Sequence, residues 1–211
     1  MSSARKQAAQ RQHMAQVAAR LMAEQGIRDF RVAKQKAAQH LGIDVRQSVL
    51  PRNSEIEAAL AEHQRLFAAD EQPAQLRAMR QAALQAMQLF ADFQPRLVGD
   101  VWSGLANGYS DIQLHVFAEQ SETFDLFLQR QGIDFEIVER RYRVARDAYR
   151  FYPAFRFVAG EHRFEVTLFS ATDIREAPRS LVDGAPMVRA SAARLERALE
   201  DADLRDRVAG S

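Results

Sequence analysis

Hydrophobic positions along the first 94 residues recur at helical spacing, and the segments between them are rich in Ala, Gln, Arg, Leu and Met, which favour helix. Val17, Leu21 and Met22 mark a first helix that Gly26 can cap. A second helix fits Val32 to Leu41 and stops at Gly42. Pro51-Arg52-Asn53 breaks the chain, and Asn53 or Ser54 can cap a third helix with Ile56, Leu60 and Phe67 along one face. Pro73 sits where the first turn of a fourth helix tolerates proline. Leu76, Met79, Ala83, Met87 and Phe90 line one stripe of that helix, and its methionines read as core filler.

Beyond residue 94 the texture changes. Arg96 to Val101 predicts a strand. Asp111 to Phe117 alternates, with Ile112, Leu114 and Val116 facing one way and Asp111, Gln113 and His115 the other. Glu122 to Gln131 predicts a helix ended by Gly132. Phe135 to Val144 and Arg150 to Val158 predict strands. Gly160-Glu161 predicts a hairpin turn into a further strand, Arg163 to Phe169, with Glu165 and Thr167 on one face. Ser180 to Pro186 reads as loop, and Ala192 to Arg207 as a charged closing helix. The expected class is α+β, with a helical, basic N-terminal region (residues 1–72) and a small mixed-sheet α/β domain carrying the C-terminal helix (residues 73–211).

Composition narrows the function classes. The chain has 211 residues, 47% hydrophobic and 27% charged, which suits a folded protein rather than a disordered one. Its net charge of +1 argues for no polyanionic partner as a whole. Residues 1–52, however, hold ten Lys/Arg against three Asp/Glu. That segment reads as a solvated pair of basic helices, or as a contact for nucleic acid or a protein partner. The absence of cysteine excludes disulfides, thiolate zinc sites and thiol catalysis. No secretory leader or membrane span is legible, so a cytoplasmic location without membrane contact is expected. The five histidines show no metal-ligand spacing, and neither a nucleophile elbow nor a Walker loop is present. Asp134, Glu136 and Glu139 share a stretch with Arg140, Arg141 and Arg143, a pattern that cross-strand ion pairing explains. Residues 17–43 resemble the opening of a helix-turn-helix domain, but Val45-Arg46-Gln47-Ser48 before Pro51 leaves little room for a recognition helix.

One constellation carries chemistry. A helix leads into Leu97-Val98-Gly99, then Ser103-Gly104, then Ser110-Asp111-Ile112-Gln113-Leu114. This arrangement resembles the nucleotidyltransferase superfamily, in which a strand is followed by Gly-Ser and later by a Ser-Asp-hydrophobic-Asp/Glu segment. The detailed match spans residues 97–117, and the layout of the whole chain is similar to uncharacterised proteobacterial nucleotidyltransferase-like proteins. The resemblance implies Asp111 as the first metal-binding carboxylate and Glu165 as a candidate for the third, together holding Mg²⁺ and acting as the catalytic pair. It implies Ser103, Gly104, Gln113 and His115 as nucleotide contacts. Gln113 stands where a second carboxylate is expected, and Ser103-Gly104 inverts the Gly-Ser order. Asp111 also reads as a turn-closing carboxylate, and His115 as a satisfied strand histidine. The expected function is therefore a degenerate nucleotidyltransferase-like protein that binds a nucleotide or RNA with weak or no transfer activity. An active metal-dependent transferase and a non-enzymatic protein-binding adaptor are the alternatives.

Overall fold

The computed structural model describes residues 3–44, 49–67 and 72–209, so the Val45–Ser48 stretch weighed above for a recognition helix lies outside the described residues. Among them are seven α-helices and a five-stranded mixed sheet, an α+β arrangement with four of the helices before the first strand. The chain divides into two compact units, one of residues 1–73 with segments 107–109 and 181–183, the other holding the remainder.

The first unit contains α1 (Ser3–Gln25), α2 (Phe30–His40) and α3 (Asn53–Phe67). Met14, Val17, Ala18, Leu21 and Met22 of α1 pack with Ile56 and Leu60 of α3 and with Ala33, Ala37 and Ala38 of α2. The alanines let α2 approach closely without loss of helix propensity. Asp29 caps α2 by accepting from the Arg31 and Val32 amides at 2.7 and 3.0 Å. At α3 the capping position is Arg52, one residue before those expected. Its carbonyl accepts from the Ile56 amide, and the Glu55 carboxylate reaches back to the Arg52 amide at 2.7 Å. This is the returning half of a capping box, made here without a serine or threonine.

The second unit runs α4 (Gln72–Leu89, of which the unit holds all but the first turn's Gln72 and Pro73), β1 (Arg96–Val98), α5 (Gly99–Ser103), β2 (Ile112–Ala118), α6 (Ser121–Arg130), β3 (Glu136–Arg143), β4 (Tyr149–Ala159), β5 (His162–Ser170) and α7 (Ala192–Ala209). The strand expected over 96–101 stops at Val98. Gly99 adopts a left-handed φ of 69° and turns the chain directly into α5. The sheet order is β1-β2-β5-β4-β3. Only the β2–β5 pair is parallel. The last strand in sequence therefore lies in the middle of the sheet.

One sheet face is apolar. Ile112, Leu114 and Val116 of β2, Phe164, Val166 and Leu168 of β5, and Phe155 and Phe157 of β4 join Met79, Ala83 and Met87 of α4, Phe124 and Leu128 of α6, and Leu195 of α7. Phe124 is central to this layer. Its ring lies 4.9 Å from Phe93, 5.1 Å from Phe155 and 5.3 Å from Phe90, all edge-on. The other face carries the alternate residues, including Asp111 just before β2, Gln113 and His115 on β2, and Glu165 and Thr167 on β5.

Truncating the central ring leaves a cavity that its aromatic neighbours fill only in part. Phe124→Ala is expected to destabilise the protein by about 3–5 kcal/mol. A urea titration followed by circular dichroism reads this as a lowered midpoint with an unchanged slope.

Candidate functional site

The polar face of the sheet is built by strand register. Gln113 lies directly opposite Glu165 in the parallel β2–β5 pair, and Glu165 lies opposite Arg156 in the antiparallel β5–β4 pair. Asp111 is the residue just before β2, and Arg163 on β5 donates through Nε to its Oδ1 at 2.8 Å. Asp111 and Glu165 thus share a face but are offset by two residues, roughly 7 Å along the strands.

Glu165 is only 4% exposed. Two guanidinium groups compensate its charge. Arg156 Nε donates to Oε2 at 2.9 Å, while Arg140 donates through Nε to Oε1 at 2.8 Å and through Nη2 to Oε2. The Arg140 fork gives a bidentate pair, the strongest form of this contact. Arg140 does not serve the acidic residues of its own strand. It reaches past β4 to β5.

Gln113 is half-buried, and its side chain lies against the bare Cα of Gly99. A Cβ added to Gly99 would be driven into Gln113 Oε1. Gly99 is thus fixed both by its positive φ and by this close approach. Ser103 ends α5, and Gly104 follows it. Gly104 is the left-handed C-cap of α5, and its amide donates to Asp100 O at 2.9 Å. The pair therefore occupies the carbonyl end of a five-residue helix, the end that disfavours anions. The glycine that directly follows the strand is Gly99, with Asp100 after it.

His115, expected as a nucleotide contact or as a satisfied strand histidine, is fully buried. Both ring nitrogens are engaged inside the protein. Arg189 Nε donates to Nδ1 at 3.0 Å, so the proton belongs on Nε2, which donates to Tyr142 Oη at 3.3 Å. Tyr142 Oη in turn lies 3.0 Å from Thr167 Oγ1. Arg189 also stacks on Phe117 and Phe169, with 4.9 and 4.7 Å to the ring centroids, and donates to Asp173 O at 2.7 Å. Burial, then the Arg189 charge, holds His115 well below the ordinary imidazole range. Burial pushes the Tyr142 phenol up to about 12. This group is a polar plug that joins the segment before α7 to the sheet.

The donor set does not suit a divalent cation. Of the three expected ligand positions, one is a neutral amide and the two carboxylates are already bound by arginines. Among the described residues no cluster of three His, Asp or Glu side chains suits a metal ion. What the face does offer is guanidinium: Arg140, Arg156 and Arg163 remain 38, 40 and 52% exposed at the side chain. Sequence inspection missed these three as site residues. Their signal was positional, since Arg163 and Glu165 alternate onto the same face and Arg156 precedes a hairpin turn. Among the described residues, no helix is long and apolar enough to cross a membrane.

Compared with family models, curated proteins and solved structures, the chain finds no match in any of the three.

The plug makes a pH prediction. His115 has a lower affinity for protons when folded, so the unfolded chain protonates first. Its contribution to stability is whole above the free-imidazole value of 6.5 and is lost as pH falls below it. The melting temperature should therefore drop between pH 7 and pH 5. In His115→Gln this part of the slope should vanish, at the expense of a lower melting temperature at neutral pH. An unchanged slope in the variant rules the assignment out.

Proposed function

We propose that the α/β unit is a degenerate nucleotidyltransferase-like module that binds the phosphates of a nucleotide or RNA without needing a metal, and that it transfers weakly or not at all. The observation that carries this reading is the state of Glu165, bracketed by Arg140 and Arg156 opposite the neutral Gln113. A metal-dependent transferase needs carboxylates open to a cation. Here the same positions present an amide and neutralised carboxylates beside exposed guanidinium groups, which suits an anion.

The strand–glycine turn–short helix–strand order over 96–118 supports the same reading. Gly99, held flush against Gln113, fits the role of the glycine that follows the first strand, in place of Gly104. Asp111, paired with Arg163, positions that guanidinium on this reading rather than a metal.

The test is equilibrium binding of a fluorescent nucleoside triphosphate to the full chain, with magnesium or with chelator. Affinity is expected to change little between the two conditions. Arg156→Ala should weaken binding by about tenfold, the loss expected for one charge-assisted hydrogen bond. Gln113→Glu should restore a clear magnesium dependence. An equal metal response in wild type and Gln113→Glu would sink the claim that the amide disables the site. Incorporation of labelled nucleotide into cellular RNA or protein that Asp111→Ala abolishes would instead mark an active transferase.

A further inference from the structure

The far end of the β3–β4 hairpin has a different character from the polar face. Residues 140–151 hold five arginines against one aspartate, in a chain whose net charge is only +1. Within the hairpin, Arg141 lies directly opposite Phe151, and Arg143 directly opposite Tyr149. Directly opposed residues point to the same side of a sheet, so these four share one face. Arg140 and Tyr142, opposed to Tyr152 and Arg150, point to the other. This platform is therefore separate from the Glu165 site.

Both aromatic rings are presented to solvent. Tyr149 is 46% exposed and Phe151 is 59% exposed. The Arg141 guanidinium lies 4.6 Å from the Tyr149 ring centroid, holding that ring flat against a cation. Arg143 is spent on the turn, where it donates through Nε and Nη2 to Arg146 O at 2.9 and 2.6 Å. That contact fixes the turn and carries the exposed Arg146 at its tip. Tyr149 and Phe151 are two residues apart on one strand, so their rings stand roughly 7 Å apart along it.

We propose that this hairpin face is a contact surface for single-stranded nucleic acid, with unpaired bases on Tyr149 and Phe151 and phosphates beside Arg141 and Arg146. Exposed aromatic rings alone would suit many partners. Flanked by Arg141 and the exposed Arg146, they suit a polyanion that carries its own flat rings, and only unpaired bases have rings free to stack. The spacing accepts two consecutive bases splayed along the strand. The surface stands on residues that the nucleotide reading does not use, so each can fail without the other.

The experiment is fluorescence anisotropy of the full chain with a labelled single-stranded oligonucleotide of about twelve residues. The ribo- and deoxyribo- forms are run in parallel, beside the matching duplex and vesicles rich in anionic lipid. Either single-stranded form should bind with a dissociation constant between about 1 and 100 µM at physiological salt. Tyr149→Ala with Phe151→Ala should weaken this at least about tenfold, while Tyr149→Phe, which keeps the ring, should stay close to wild type. Arg141→Ala and Arg146→Ala should each lower the slope of log affinity against log salt by about 0.7. Triphosphate binding should be unaffected in the double aromatic variant. Equal affinity in wild type and the double variant overturns the proposal. So does duplex binding as tight as the single strand, attachment to vesicles without oligonucleotide binding, or no binding up to about 100 µM.

Discussion

A carboxylate taken out of water has to be compensated by charge and hydrogen bonds, and Glu165 meets that condition with Arg140 and Arg156. The requirement reaches across three strands. It ties β3 and β4 to β5, and through the Gln113–Glu165 register it fixes what β2 presents beside them. Losing either arginine would leave a buried charge incompletely matched. The polar face is therefore organised around one buried anion, with the guanidinium groups that compensate it left partly exposed.

The two faces of the sheet divide the work. On one, a layer of interlocked phenylalanines supplies the apolar burial that holds α4, α6 and α7 in place. On the other, buried and half-buried polar groups pair with one another: His115 with Arg189 and Tyr142, Tyr142 with Thr167. Arg189 combines hydrogen bonding with stacking on Phe117 and Phe169. A guanidinium can do both at once because its donors lie in its plane and its faces are weakly hydrated.

Local periodicity was readable in the sequence, and distant pairing was not. The Met79–Ala83–Met87 stripe and the alternation of β2 and β5 emerge as expected, because each depends on residues three, four or two apart. The early end of β1 escaped because Gly99 read as strand when its left-handed φ makes a corner. His115 could be read either as a site residue or as a satisfied strand histidine, because alternation only sets it beside Asp111. Its covering partner, Arg189, is 74 residues away and carries no signal of that destination. The same holds for Arg140, whose position among Glu136 and Glu139 suggested pairing within the neighbouring strands, and which instead serves Glu165. Side-chain reach across strands is decided by sheet order, and the order β1-β2-β5-β4-β3 places the last strand in the middle.

That placement bears on how the protein is made. A ribosome delivers β1 and β2 long before β5, and until residues 162–170 emerge β2 has β1 on one side and nothing on the other. The outer edge of β1 waits longer still, since Leu97 exchanges backbone hydrogen bonds with Ala190. The β4–β5 hairpin can zip early because Gly160 joins its strands, but the parallel seam to β2 closes a long loop. Nascent chains should thus carry open strand edges until β5 and then Ala190 have emerged.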